Sequence, residues 1–189
     1  MRKRQEAPGE LELVRAFVNT RDLEAGTEEL GSPGELAAWI RASGLADGEP
    51  RVSSSDLRGA LDVREALRAI LLSHTDGTPP PAEAARTLDE AAVRARLALR
   101  FDADGAATLR SAAGGVDGAV GRLLAVVQAS IADDTWSRLK ACRDHSCEWA
   151  FYDHTKNHSG TWCTMDVCGN RAKARTYRER RPSAARGAG

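Results

Sequence analysis

The sequence predicts a mostly α-helical N-terminal domain that carries a small β-hairpin (an α+β fold), followed by a small four-cysteine module that ends in a helix. Three observations support this organisation. Apolar residues recur at helical spacing over residues 1–137, all four cysteines lie within 142–168, and six cations lie within 171–181. We expect domains at 1–137 and 138–181, and a disordered tail at 182–189, which is rich in Pro, Gly and Ala.

Two helices are predicted in the first quarter of the chain. Residues 11–19 place their apolar side chains on one side of a helix. The segment Ser32-Pro33-Gly34-Glu35 is a helix start, because Ser can cap, Pro suits the first turn and Glu completes a capping box. We expect this second helix to end just before Gly44.

The rest of the N-terminal domain alternates clear helical segments with breaks. Helices are predicted at about 55–74 and 82–94, separated by a loop at 75–81, whose Pro and Gly residues exclude a helix. Alternating apolar residues on both sides of an Asp-Gly pair indicate a β-hairpin at 97–111. A long helix is then expected over 117–139, leading the chain to its first cysteine.

The charges of the chain are unevenly distributed. Basic and acidic residues balance at 27 each, but residues 138–189 hold eleven basic and five acidic side chains. Residues 1–137 hold the other sixteen and twenty-two. A basic segment on an acidic body predicts two parts with different partners, of which the basic part is attracted to polyanions.

Several classes of protein do not fit the sequence. No apolar run approaches the roughly 18–20 residues of a membrane span, and no apolar stretch follows the charged N-terminus. We therefore expect a soluble, cytoplasmic protein without a membrane partner. No nucleophile elbow or Gly-rich phosphate loop is present, and Asp133 and Asp134 would diverge by about 100° on a helix, so no enzyme is expected.

The cysteines follow the pattern C-x4-C-x15-C-x4-C. Reduced thiols clustered in this way indicate a metal site rather than disulfides. Zn²⁺ prefers four tetrahedral ligands, and four thiolates leave no open position for catalysis. We expect one structural Zn²⁺, with the ligands Cys142, Cys147, Cys163 and Cys168.

Two alternatives stay open at this site. His145, His154 or His158 could replace one cysteine in a Cys3His site, although exposed loop histidines are favoured. The site could also release zinc on oxidation and act as a thiol redox switch, which requires a partly exposed cysteine of low pKa.

The residues between and after the cysteine pairs are expected to support the metal. A module this small cannot build a large core unaided, so Trp149, Phe151 and Trp162 should pack around the zinc. Tyr152 could stack on a base if it is exposed. Gly169 should permit a sharp turn that aims backbone N–H groups at sulfur, and Asn170 should cap the next helix.

The final helix, expected over 168–181, is strongly cationic and is opposed by Glu179 alone. Arginine suits phosphates and guanine edges, so contact with nucleic acid is favoured over a solvated face or an acidic protein partner. The candidate DNA contacts are Arg171, Lys173, Arg175, Arg178, Arg180 and Arg181.

Residues 138–181 resemble the CGNR zinc finger. The resemblance is carried by the first cysteine pair, the stretch Trp149 to Asp153, Trp162-Cys163, and Cys168-Gly169-Asn170-Arg171. It implies a bacterial transcription regulator that binds DNA through this finger.

The N-terminal part resembles the ABATE domain that usually precedes the CGNR finger. The matching segments are Phe17-Val18-Asn19-Thr20, 35–39 and 64–68. This resemblance implies a stress-response regulator with a largely helical fold that carries a small β part. In the leading hypothesis, the N-terminal domain senses a small-molecule ligand or forms a homodimer, and the finger binds DNA. The competing hypotheses are a protein-interaction module whose fold is stabilised by zinc, and a thiol redox switch, both without direct DNA binding.

Overall fold

The computed structural model describes residues 6–46, 48 and 50–180, except for the side chains of Glu179 and Arg180. It confirms a mostly α-helical protein with small separate hairpins. The helices are α1 (Leu11–Val18), α2 (Pro33–Ala42), α3 (Ser54–Asp76), α4 (Ala82–Arg94), α5 (Gly115–Ala132) and α6 (Asn170–Arg180). The strands are β1 (Arg21–Asp22), β2 (Thr27–Glu28), β3 (Leu97–Phe101), β4 (Ala107–Ser111), β5 (Leu139–Ala141) and β6 (Ala150–Tyr152).

Helix α3 is the centre of the core, where α1, α2, α4 and α5 pack against it. It begins with a complete capping box, in which Ser53 Oγ accepts from the Asp56 amide and Asp56 accepts from the Ser53 amide. The box expected at α2 is only half formed. Ser32 Oγ accepts from the Glu35 amide, whereas the Glu35 carboxylate accepts from the Ser32 hydroxyl rather than from its amide.

The end of α3 differs from the prediction. The helix continues through Thr75 and Asp76 and ends at Gly77, which has a left-handed φ of 66°. The expected loop at 75–81 therefore begins two residues later. The two extra residues are held in the helix by a distant contact, since the buried Thr75 hydroxyl donates to the Ala141 carbonyl at 2.6 Å.

Helix α5 ends earlier than predicted. It stops at Ala132 rather than near residue 139, Asp134 adopts a left-handed φ of 56°, and a 3₁₀ turn follows at Trp136–Arg138. The chain turns here because Leu139–Ala141 forms strand β5 against the end of α3.

The hairpin expected near 97–111 is confirmed as β3 and β4, with Leu99 opposite Leu109. Its inner end packs on α5, while Leu99 and Phe101 are 55% and 70% exposed. The smaller hairpin β1–β2 was not predicted, because two-residue strands leave no alternation to detect.

Within the described part of the chain, α5 is the one helix long and apolar enough to cross a membrane by length and composition. This corrects the expectation that no segment would approach that limit. Core helices of water-soluble proteins pass the same test. Helix α5 packs on α1, α4 and β4, and its buried side chains include Val116, Val120, Leu123 and Leu124.

The four-cysteine module shares the core of the N-terminal part. Strands β5 and β6 are fully buried, and β5 packs on α3. Their side chains Leu139, Ala141, Ala150 and Tyr152 belong to the same apolar cluster as the helices. The metal-binding loop is therefore attached to the helical body by a buried sheet rather than by a linker.

Candidate metal centre and its surroundings

The four cysteines converge on one point. All four Sγ atoms lie within 4.8 Å of one another, with Cys163 Sγ at 3.6 Å from Cys147 Sγ and 3.7 Å from Cys168 Sγ. A tetrahedral zinc site with Zn–S bonds of about 2.3 Å has sulfurs about 3.8 Å apart. The spacing of the sulfurs therefore fits a single Zn²⁺.

The electrostatics of the cluster also favour a cation. The cysteines are at most 5% exposed. Hydrogen bonds from Cys142 and Cys163 lower the pKa of Cys147, while burial and the neighbouring thiolates raise the pKa of Cys168. Sulfurs packed this closely cannot all carry charge unless a cation lies among them, and four thiolates are the donor set that structural zinc prefers. The cluster is a single structural zinc site.

The expected aromatic shell is present on one side of the cluster. Trp149 and Phe151 are buried against the sulfurs, and Trp162 is partly buried there. Tyr152 does not belong to this shell. It is 5% exposed, lies in the core of the helical body, and packs against His154 and Arg138, so it cannot stack on a base.

The histidines are not ligands in this geometry. His145, His154 and His158 are exposed, and among the described residues the metal-binding group consists of the four cysteines. His145 Nδ1 lies 3.3 Å from Glu148 Oε1, and His154 Nε2 lies 3.0 Å from the Glu6 carbonyl. The Cys3His alternative is therefore not supported.

Gly169 and Asn170 act differently from the prediction. Residues Met165–Gly169 form a π-helical turn that continues into α6. The Gly169 amide donates to the Thr164 carbonyl rather than to sulfur, and a Cβ at Gly169 would lie 2.8 Å from Met165 Sδ. Asn170 is already helical and donates its side-chain amide to the Asp166 carbonyl, so it does not cap the helix.

The loop between the cysteine pairs is held by a buried ion pair. Lys140 Nζ lies 2.8 Å from Asp153 Oδ2 and donates to the carbonyls of His158 and Gly160. Burial alone would raise the pKa of Asp153, but Lys140 and hydrogen bonds from Thr155 and Gly160 hold it well below its ordinary value. Lys140 therefore connects strand β5 to three points of this loop.

The cations of α6 fall into two groups. Lys173, Arg175 and Arg178 are exposed, although Arg175 also lies 3.8 Å from Asp144. Arg171 is instead paired with Glu24 at 2.7 Å and Asp144 at 3.5 Å. The predicted contacts Arg180 and Arg181 lie outside the described side chains.

Both parts of the chain match known protein families. Residues 11–137 match the ABATE family, described as "Putative stress-induced transcription regulator". This match covers most of the chain. The chain belongs to the ABATE family. Residues 138–181 match the CGNR zinc finger, in the expected order. No curated protein matches the chain.

The ABATE domain holds the CGNR finger through residues whose role the sequence did not reveal. Asn19 exchanges two hydrogen bonds with the backbone of Ala150. Arg68 of α3 donates to the carbonyls of Val18 in the ABATE domain and Glu148 in the finger, at 2.7 and 3.0 Å. Both side chains are buried. Polar residues in the middle of apolar patterns were the signal, because a buried polar group needs a partner.

The β1–β2 hairpin of the ABATE domain is fixed from the same helix. The buried Arg64 forms two hydrogen bonds with the Glu28 carboxylate, at 2.7 and 2.8 Å, and a third with Thr20 Oγ1. Although burial opposes both shifts, this pairing lowers the pKa of Glu28 and raises that of Arg64. The hairpin is thereby held beside the finger.

Proposed function

We propose that this ABATE protein is a DNA-binding transcription regulator in which the zinc site fixes the start of α6 and α6 contacts DNA. The family description and the zinc finger support regulation. The observation that carries the DNA contact is the exposure of Lys173, Arg175 and Arg178 on a helix that continues directly from the π-helical turn holding Cys168. Such cations suit DNA phosphates. We also propose a cytoplasmic location.

The side of α6 that would meet DNA follows from its contacts. Arg171 and Arg175 point toward Asp144 in the finger. At 100° per residue, Lys173 lies about 200° around the helix from Arg171. Lys173 therefore lies on the outer side of α6. Tyr177 is 64% exposed on the same helix.

The test is fluorescence anisotropy with the full-length, zinc-loaded protein and duplex DNA of random sequence. Affinity should fall steeply between about 50 and 200 mM salt, with a slope of about 0.9 per phosphate contacted. The variant Lys173→Ala should weaken binding and reduce the slope by about one contact. The matched control, Arg100→Ala, removes an exposed cation from the β3–β4 hairpin and should bind as wild type does. An affinity that does not change with salt would rule out this function.

The sensing or dimerisation role of the ABATE domain stays a prediction. A cavity of about 850 Å³ lies between α3, α4 and α5 and has room for a small molecule. Two of its three arginines are paired, Arg86 with Glu83 and Glu90, and Arg94 with Asp117. Both family descriptions concern regulators or zinc fingers rather than enzymes.

The redox-switch alternative has little support from the site. It requires a partly exposed thiol, whereas all four cysteines are nearly or fully buried. No specific contact favours a protein-interaction module over a DNA-binding one, so DNA remains the proposed partner.

A further inference from the structure

Each of the three guanidinium nitrogens of Arg171, the arginine of the CGNR motif, lies near a polar or charged partner in the protein. Arg171 Nη2 donates to Glu24 Oε1 at 2.7 Å and lies 3.7 Å from Cys168 Sγ. Its Nε is 3.5 Å from Asp144 Oδ2, and its Nη1 is 3.4 Å from Ser146 Oγ. These partners belong to three separate segments, which are the β1–β2 turn, the first cysteine loop and the last metal ligand.

The charges around the site explain why a cation is needed there. Four thiolates and one Zn²⁺ carry a net charge of −2. The side chain of Asp144, which is 3% exposed, adds another negative charge beside them. Arg171 brings a positive charge to both, and its hydrogen bond with Glu24 raises its own pKa further. A guanidinium in this position stabilises the ionised sulfurs that zinc requires.

Lys173, two residues further along α6, provides the contrast. It is exposed on the opposite side of the helix, and it has none of the contacts that Arg171 makes with the cysteine loop and the β1–β2 turn. The two cations therefore have different surroundings although they share a helix and a charge.

We infer that Arg171 is a positioning residue of the zinc site rather than a DNA contact. It holds the Cys168 sulfur and ties it through Glu24 to the β1–β2 turn of the ABATE domain. This role removes Arg171 from the DNA contacts of the proposed function. It does not itself depend on DNA binding, since its direct consequence is metal affinity. Groups that hydrogen-bond to metal ligands typically change metal affinity 10–100-fold.

The test compares zinc affinity in full-length variants by competition with a chromophoric chelator. Arg171→Ala should weaken zinc binding by about 10–100-fold, and Glu24→Gln by a smaller factor. Because the two residues act through one contact, the double variant should be no weaker than Arg171→Ala alone. The matched control, Lys173→Ala, should bind zinc within about twofold of wild type, as expected for an exposed site. Co²⁺ substitution adds a spectroscopic check, since the sulfur-to-metal absorption should shift in Arg171→Ala and not in the control.

Two results would overturn the positioning role of Arg171. One is wild-type zinc affinity in both Arg171→Ala and Glu24→Gln. The other is a loss of DNA affinity in Arg171→Ala at saturating zinc as large as that in Lys173→Ala. If Arg171→Ala does not fold, Glu24→Gln alone decides through its zinc affinity. If wild type binds no DNA, the proposed function fails, while the zinc measurements still decide the role of Arg171.

Discussion

Asn19 and Ala150 pair like neighbours in a β-sheet although 131 residues separate them. Asn19 Nδ2 donates to the Ala150 carbonyl at 2.9 Å, and the Ala150 amide donates to Asn19 Oδ1 at 2.8 Å. Strand β6 is bonded to β5 along one edge, and at Ala150 the side chain of Asn19 takes the place of a strand. The finger is thus joined to the ABATE domain by hydrogen bonds between the Asn19 side chain and the main chain of β6, as well as by apolar packing.

Removing this pairing should destabilise the whole protein. Asn19→Ala leaves the buried amide and carbonyl of Ala150 without a protein partner, and each such group costs about 1–3 kcal/mol. We expect the free energy of unfolding to fall by about 2–4 kcal/mol, measured by urea denaturation with zinc present. Asn157→Ala is the control, because Asn157 is exposed in the finger loop and its replacement should change stability by less than about 0.5 kcal/mol. Equal midpoints for the two variants would contradict the role given to Asn19.

Zinc removal should loosen the ABATE domain as well as the finger. Leu139, Ala141 and Ala150 come from the finger but are completely buried in the shared core. Chelation should therefore speed amide hydrogen exchange in α1 and α3, which hold no metal ligand. A loss of on the order of 5 kcal/mol would lower Tm by roughly 10–20 °C in a chain of this size. Exchange that rises only within 142–170, with α1 and α3 unchanged, would show that the finger folds independently.

Local signals explain what the sequence predicted well. The start of α2 follows from its capping serine, and the start of α4 from the prolines just before it. The β3–β4 hairpin and the cysteine cluster follow from alternation and ligand spacing, and all of these signals act over a few residues. The metal ion turns the spacing of the cysteines into a three-dimensional constraint, so the site could be located without knowledge of the fold.

Distant contacts explain what the sequence did not predict. Helix α5 has no strong stop signal at Ala132, and its end is set by the docking of Leu139–Ala141 on α3, more than 60 residues earlier. In the sequence, nothing distinguishes Arg171 from the other cations of the 171–181 segment. Only the fold brings Glu24 next to it. A run of cationic residues in a sequence does not show which of them form ion pairs in the fold.

Stability should decrease in acid through His74. Burial and the nearby Lys140 lower its pKa below the ordinary 6.5, against the hydrogen bond between Nδ1 and the Leu139 carbonyl. Below pH 6.5 the histidine becomes protonated in the unfolded chain while it stays neutral in the folded chain. The contribution of neutral His74 to stability is therefore complete above pH 6.5 and is lost as pH falls toward the lower pKa of the folded state. His74→Asn keeps a donor near the position of Nδ1 but cannot titrate.

The measurement is the free energy of unfolding from pH 7.5 to 5 at saturating zinc, which holds metal loss equal among the variants. Wild type should lose up to about 1.4 kcal/mol per pH unit more than His74→Asn over the lower part of this range. His158→Asn replaces an exposed histidine and should follow wild type. Parallel curves for wild type and His74→Asn would show that His74 does not control the acid response.

Gly169 should tolerate a side chain only if the end of the Met165 side chain moves. A Cβ at this position would lie 2.8 Å from Met165 Sδ and 2.9 Å from Met165 Cε. Because these atoms are the far end of a flexible side chain that is 54% exposed, they can move aside, and we expect Gly169→Ala to lower the free energy of unfolding by about 1 kcal/mol or less, the low end of the overpacking range. Gly34→Ala is the matched control, because Gly34 lies in α2 with open space around its Cβ position, and the change should be neutral or stabilising by up to about 1 kcal/mol. Adding Met165→Ala to Gly169→Ala should restore both thermal stability and zinc affinity, since it removes the clashing atoms. A double variant as weak as Gly169→Ala would show that the glycine is needed for its backbone rather than for the space it leaves.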